Sequence, residues 1–106
     1  MNISIIGSGY VGLVTGICFA EMGNKVHCVD LQDDKIKLLK DGCLPIYEPG
    51  LKELLERNLK ARRIQFSTQI QKAVRESEVV FITVGTPSAE NGKADLSSVY
   101  DVAEKI

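Results

Sequence analysis

The chain has 106 residues, of which 44% are hydrophobic and 25% charged, and its net charge is −1. These values are typical of one globular domain with a modest core. Thirteen basic residues against fourteen acidic ones leave no positive surplus, so neither nucleic acid nor a membrane is an expected partner. No apolar run reaches the about 18 residues that span a bilayer. A signal peptide is disfavoured because the first basic residue, Lys25, follows the first apolar run.

The pattern of apolar runs and turn residues predicts strands that alternate with helices. Such alternation is typical of an α/β fold with parallel strands and right-handed crossovers. We expect a Rossmann-type, doubly wound sheet of about four strands in the order 3-2-1-4, which is an incomplete form of that fold. The predicted elements are a strand at 2–6, a helix at 10–22 ending at Gly23, a strand at 25–30, a helix capped by Asp33 or Asp34 and ending at Gly42, a connector at 45–50, a helix with Pro49 in its first position, a strand at 64–67, a helix at 68–77, a strand at 78–84, a loop at 85–95, and a helix from Leu96 capped by Asp95.

Two of these elements carry finer predictions. The first helix is expected to bury its larger apolar residues, which recur at three- and four-residue intervals. They are Val11, Val14, Cys18 and Met22. The run at 78–84 contains five apolar residues, which is typical of a strand covered on both faces: Val79, Val80, Phe81, Ile82 and Val84. In the predicted order, however, this strand is the outermost one, with an open edge. We therefore expect a homodimer or a higher homo-oligomer.

The cysteines and the histidine give no sign of metal or redox chemistry. Cys18, Cys28 and Cys43 form no CxxC pair and no Cys/His cluster, so we predict neither a metal site nor a disulfide framework. Cys18 and Cys28 lie in apolar runs and are predicted to be buried small side chains. His27 lies in the middle of a predicted strand and is interpreted as structural. Unpaired thiols favour a cytoplasmic location.

The first strand is followed by the sequence Gly7-Ser8-Gly9-Tyr10-Val11-Gly12, a G-x-G-x-x-G pattern that opens a helix. In a dinucleotide site the first glycine makes the tight turn, the second lets a pyrophosphate approach, and the third lets helix and strand pack closely. The N–H groups near Tyr10 and Val11 would meet the phosphates. A turn that binds nothing explains the glycines alone equally well. A P-loop does not, because Leu13 and Val14 stand where it needs Lys and Ser or Thr.

Further candidate residues follow the second and fourth strands. Asp30 ends the second strand, where a carboxylate accepts hydrogen bonds from both adenosine ribose hydroxyls and repels a 2′-phosphate. This position favours NAD over NADP. Lys35 either reaches the adenosine side or is a solvated helix lysine. Gly85 and Thr86 follow the fourth strand, at the strand ends where such sheets bind ligands, although a plain turn explains them equally well.

Five segments, "GSGYVGLVTG", "CVD", "LPIYEPGL" at 44–51, "VGTPS" and "ADLSSV", lie in a recognisable order and spacing. Together they resemble the N-terminal domain of the UDP-glucose/GDP-mannose dehydrogenase family over essentially the whole chain. The resemblance implies two successive NAD-dependent oxidations at C6 of a nucleotide sugar. The "IYEPGL" form is most similar to members that convert UDP-glucose to UDP-glucuronate, while members that oxidise GDP-mannose or UDP-N-acetylhexosamines share its "EPGL" core.

The resemblance also assigns residues. It places Val11, Asp30, Lys35 and Thr86 at the cofactor, while Glu48 is expected to have a structural role in the connector. No catalytic residue is assigned, because this chain lacks the family's "CxPKD"-type cysteine segment and its lysine–asparagine pair. We therefore expect residues 1–106 to be the NAD-binding domain of a longer dehydrogenase, in which the UDP-sugar binds elsewhere. The alternative is a free-standing NAD-responsive regulatory module. A flavin or methyl-donor site is disfavoured, because flavoproteins prefer Glu where Asp30 stands.

Overall fold

The computed structural model describes residues 1–84 and 97–105. Strands and helices alternate along these residues as predicted. The elements are β1 (Asn2–Ile6), α1 (Tyr10–Glu21), β2 (Lys25–Val29), α2 (Asp33–Lys40), α3 (Leu51–Lys60), β3 (Ile64–Ser67), α4 (Ile70–Arg75), β4 (Val79–Ile82) and α5 (Ser97–Lys105). Within the described ranges, every helix is too short or too polar to cross a membrane.

The four strands form one parallel sheet in the order β3-β2-β1-β4. This confirms the predicted α/β class, the Rossmann-type topology and the strand order. β1 lies between β2 and β4, and Ile6 at its end is paired with Val29 and Ile82. Because the strands are parallel, the segments that follow β1, β2 and β4 leave the sheet at the same edge.

Apolar side chains cover both faces of the sheet, as expected for a doubly wound fold. The larger cluster joins one face to α1, α2 and α3, and its fully buried members include Ile5, Leu13 and Leu55. The smaller cluster joins the opposite face to α4 and α5 through Ile70 and Val102. The sheet is thus packed between helices on both faces, and this packing holds the strand ends in place.

The buried face of α1 differs from the predicted one. Val11 and Met22 are 64% and 68% exposed, and Cys18 is exposed as well, so the prediction that Cys18 is buried was wrong. Cys28 is fully buried, as predicted, and burial raises the pKa of its thiol to about 12. The face that packs on the sheet consists of Gly12, Leu13, Gly16, Ile17 and Ala20. Small residues let the helix approach closely, since a Cβ on Gly16 would lie 2.8 Å from the Cys28 sulfur.

Two predicted helix starts were also wrong. α2 has Gln32 at its N-cap, so Asp33 and Asp34 lie inside the first turn, where their charges face the positive end of the helix dipole. α3 begins at Leu51 rather than Pro49, because Gly50 takes φ 82° in the left-handed region, outside helical geometry. The predicted cap of α5, Asp95, lies outside the described residues.

β4 is the edge strand, as predicted, but it is not buried on both faces. Val79 is 36% exposed, and Val80, Phe81 and Ile82 are half-buried. An outermost strand has a neighbouring strand on one side only, so a high apolar content does not imply that its side chains are fully buried. Phe81 packs against Phe19 of α1, with ring centroids 5.3 Å apart.

Candidate functional site

The glycine turn that joins β1 to α1 is fixed by contacts with β2 and with the residue after β4. Gly7 takes φ 105°, a left-handed conformation that favours glycine, and its N–H donates to the Val29 carbonyl at 2.7 Å. The Thr83 hydroxyl donates to the carbonyls of Ile6 and Gly7 at 3.1 and 3.0 Å. A Cβ on Gly12 would lie 2.2 Å from the Gly7 oxygen. The first and third glycines are therefore required by the fold itself.

Gly9 differs from both of these glycines. It is the N-cap of α1, with φ −73° and ψ −169°, a backbone conformation open to any residue. A Cβ built on it would meet no heavy atom within 4 Å. Packing within the described chain therefore gives no reason for a glycine here. A ligand that approaches the backbone closely does give one.

The N-terminus of α1 can receive an anion. The first N–H groups of a helix have no partner within the helix, and they carry the positive end of its dipole. In α1 the N-cap residue, Gly9, makes no side-chain capping hydrogen bond, and the first turn contains no acidic residue. The N–H groups at this helix end are therefore available to a phosphate.

A cleft of about 520 Å³ opens over this helix end. Its lining residues are Gly7, Ser8, Gly9, Tyr10, Val11, Asp30, Lys35, Thr83 and Val84. Six of the nine residues predicted at the cofactor site thus share one cleft. A seventh, Gly12, lies beneath it in the packed turn. The last two, Gly85 and Thr86, lie outside the described residues, directly after Val84.

Asp30 is held at the edge of the cleft by neighbouring donors. Its Oδ2 accepts hydrogen bonds from the N–H and the hydroxyl of Ser8, at 3.1 and 2.6 Å, and its Oδ1 accepts one from the Gln32 N–H at 2.9 Å. Lys35 Nζ lies 3.9 Å from Oδ2. Partial burial raises the pKa of Asp30, but the hydrogen bonds and Lys35 outweigh it, and the pKa lies below its ordinary value. The carboxylate is therefore ionised at neutral pH.

Tyr10 links the cleft to the connector at 45–50. Its hydroxyl donates to Glu48 Oε2 at 2.6 Å. The hydrogen bond to the carboxylate and its charge raise the pKa of the phenol. Glu48 therefore contacts a wall of the cleft, in agreement with the structural role expected for it.

Sequence reasoning assigned no role to two residues of this site, Ser8 and Thr83. Ser8 occupies an unspecified position of the glycine pattern, yet it is 1% exposed and holds Asp30. Thr83 is a polar residue in the apolar run at 78–84, and its hydroxyl joins that run to the glycine turn. The signals in the sequence that could have drawn attention to these residues are a hydroxyl between two glycines, at Ser8, and a hydroxyl within an apolar run, at Thr83.

His27 lies apart from the residues that line the cleft. It is 7% exposed, and its Nε2 hydrogen-bonds to the Ser67 hydroxyl at 2.6 Å. Among the described residues, its Nδ1 has no hydrogen-bond partner. Burial lowers the pKa of His27, an effect that Glu76 opposes and Lys72 reinforces. A buried, neutral imidazole agrees with the structural interpretation.

Comparison with known proteins gives concordant matches. The family model described as "UDP-glucose/GDP-mannose dehydrogenase family, NAD binding domain" matches residues 1–106. The UDP-glucose 6-dehydrogenase TuaD of Bacillus subtilis is 51% identical over 105 residues, which are 99% of this chain and 23% of TuaD. The UDP-glucose 6-dehydrogenase of Pseudomonas aeruginosa is 50% identical over 106 residues, which are 100% of this chain and 23% of that protein.

Two solved structures have the same fold. A ternary complex of GDP-mannose dehydrogenase from Pseudomonas aeruginosa superposes with a TM-score of 0.96 at 44% identity, over 100% of this chain and 24% of that one. A UDP-glucose dehydrogenase from Pyrobaculum islandicum gives 0.91 at 40% identity, over 95% of this chain and 23% of that one. The chain thus spans about a quarter of the length of the relatives it matches.

Proposed function

Since the chain belongs to the UDP-glucose/GDP-mannose dehydrogenase family, of which it is the NAD-binding domain, we propose that it serves as the cofactor module of a UDP-glucose 6-dehydrogenase. Such an enzyme converts UDP-glucose, two NAD⁺ and water into UDP-glucuronate and two NADH. In this proposal residues 1–106 form one domain of a longer dehydrogenase. Bound NAD supplies the acceptor for the hydride that leaves the sugar.

The cofactor pyrophosphate would lie over Gly9 and the first turn of α1. The open space at the Cβ position of Gly9 is the single observation that carries this proposal, since the described fold gives no other reason for a glycine there. The uncapped helix end supplies N–H donors and a positive dipole to the phosphates. Thr83 and Val84 line the cleft beside the turn, and we propose that Gly85 and Thr86, which follow them, also contact the cofactor.

The adenosine ribose would lie at Asp30. An ionised carboxylate accepts hydrogen bonds from two adjacent hydroxyls, whereas it repels a 2′-phosphate. Lys35 lies beside Asp30 and lines the same cleft, so we propose that it borders the adenosine. NAD is therefore the preferred dinucleotide.

The sugar chemistry belongs, in this proposal, to a part of the parent enzyme beyond these 106 residues. None of the described residues that line the cleft is a cysteine or a histidine, so that part of the cleft offers no thiol or imidazole nucleophile. Among the described residues β4 has no strand on its outer side, and this open edge supports a homodimer or a higher homo-oligomer. Three cysteines with free thiols fit a reducing cytoplasm.

Calorimetric titration with NAD and with NADP tests the proposed function. We expect NAD to bind and NADP to bind at least tenfold more weakly. Asp30→Ala removes hydrogen bonds to a charged group, so it should weaken NAD binding by about 1–3 kcal/mol. Asp34→Ala, which removes an exposed aspartate from the first turn of α2, is the matched control and should bind NAD like the wild type. Equal or tighter binding of NADP would contradict the assignment.

A further inference from the structure

Ser8 is buried between two glycines and directs both of its donors to one atom. Its backbone N–H and its hydroxyl reach the same oxygen, Asp30 Oδ2, across a separation of 22 residues. The hydroxyl contact of 2.6 Å is short, as expected for a charge-assisted hydrogen bond. With 1% of its surface exposed, Ser8 has almost no direct access to a ligand.

These contacts leave the two carboxylate oxygens unequal. An ionised carboxylate has about four lone-pair positions. At Oδ2 the two Ser8 donors fill the two positions, and Lys35 lies nearby. Oδ1 accepts a hydrogen bond from the Gln32 N–H, which is its donor among the described residues. Oδ1 is therefore the less occupied of the two oxygens and the one more open to the ribose hydroxyls.

The hydroxyl of Ser8 also limits the rotation of the Asp30 side chain. A carboxylate fixed before the ligand arrives loses little conformational entropy on binding. It also cannot turn away from an incoming 2′-phosphate. Without the Ser8 hydroxyl, the N–H groups of Ser8 and Gln32 still hold Asp30, but more weakly, so the carboxylate could yield more readily to a 2′-phosphate.

We infer that Ser8 is a positioning residue, which fixes the Asp30 carboxylate for ribose recognition and thereby sets the preference for NAD over NADP. The inference rests on the proposed function. Ser8 acts through Asp30 and not by touching the cofactor. Its contribution should therefore disappear when Asp30 is removed.

Dinucleotide titrations of Ser8→Ala, Asp30→Ala and the double variant test this dependence. We expect Ser8→Ala to weaken NAD binding about tenfold, the loss of one charge-assisted hydrogen bond. NADP binding should stay equal or become tighter, so the preference for NAD should fall at least tenfold. In the Asp30→Ala background, Ser8→Ala should cause no further change.

Ser4→Ala is the matched control. Ser4 is also a fully buried serine, at the third position of β1, and its hydroxyl donates to the Ala73 carbonyl at 2.9 Å. Its loss should lower stability without changing the ratio of NAD to NADP affinity. Ser8→Cys offers a second variant of similar shape with a weak donor, and it should shift the ratio in the same direction as Ser8→Ala. Circular dichroism shows whether each variant is folded.

An NMR titration of the Asp30 carboxyl without cofactor supplies an independent measurement. Among the described residues, Lys35 is the charged side chain within ion-pair distance of Asp30. Ser8→Ala leaves that pair in place, so a rise of the Asp30 pKa in this variant reports the lost hydroxyl. A folded Ser8→Ala chain with the wild-type pKa and the wild-type preference would overturn the inference alone. A wild-type chain that binds neither dinucleotide would overturn the proposed function, and the inference with it.

Discussion

Gly9→Ala and Gly12→Ala each add one methyl group to the same glycine turn, but they should affect different properties. The first should weaken cofactor binding, and the second should destabilise the fold. At Gly9 the methyl group enters open space on an extended backbone. Gly→Ala at such a position gains about 0.4–1 kcal/mol by restricting the unfolded chain. Alanine is a poorer N-cap than glycine by a similar amount. The free energy of unfolding should therefore change by less than about 0.5 kcal/mol, the difference of these two effects.

At Gly12 the same methyl group would lie 2.2 Å from the Gly7 oxygen and 2.6 Å from the Thr83 hydroxyl. The first of these atoms belongs to the backbone of a turn that is held by two strands, so it cannot move aside cheaply. Overpacking of this kind costs about 3 kcal/mol or more, the upper end of the usual range. For a domain of this size, such a loss lowers Tm by about 12–24 °C.

The two variants should be distinguished by the property that each one loses. Gly9→Ala places its methyl group where the pyrophosphate would approach, so NAD affinity should fall at least tenfold, about 1.4 kcal/mol. Thermal unfolding followed by circular dichroism, with and without NAD, measures both effects. A Gly9→Ala chain that NAD stabilises like the wild type would refute the role given to the second glycine. A Gly12→Ala chain that melts with the wild type would refute the packing argument.

Three further predictions concern activity, association and pH. Purified as 106 residues, the chain should bind NAD but produce no NADH from UDP-glucose, because hydride transfer requires a positioned substrate; formation of NADH above a blank would contradict this. Sedimentation at micromolar concentration should show self-association through the β4 edge. Val79→Lys should weaken it by blunting that edge, whereas Leu38→Lys, at an exposed leucine of α2, should not; a monomeric wild type would show that the edge is covered. Since burial lowers the pKa of His27, the unfolded chain binds its proton more readily, and the free energy of unfolding should fall as pH drops through about 6.5. His27→Gln should flatten this part of the stability curve, measured by chemical denaturation at each pH. An unchanged curve would show that a group other than His27 causes the pH dependence.

Much of the fold could be predicted because its signals are local. Each strand is a short apolar run bounded by turn residues, and the alternation with helices limits the sheet to parallel pairing. Gly7, Gly12 and Asp30 were predicted as site residues from a spacing that reflects one strand–turn–helix unit and the strand after it.

The remaining features depend on tertiary contacts. Periodicity gave the wrong face for α1, because it counts large side chains, whereas Gly12 and Gly16 let the helix approach the sheet. The partner of Ser8 is 22 residues away, and that of Tyr10 is 38 residues away. The spacing of the glycine pattern predicts Asp30 as a ribose ligand, but it does not predict either of these side-chain hydrogen bonds. Such pairs become visible only once the strands are placed side by side.

The contact between Thr83 and the glycine turn also bears on the timing of folding. Thr83 donates to the Gly7 carbonyl across 76 residues of sequence. At a synthesis rate of about 5–20 residues per second, Thr83 is added roughly 4–15 s after Gly7. During this interval β1 has no β4 beside it, and the turn lacks the side chain that fixes its two carbonyls. The glycine turn can therefore complete its native contacts only after Thr83, 76 residues further along the chain, has been added.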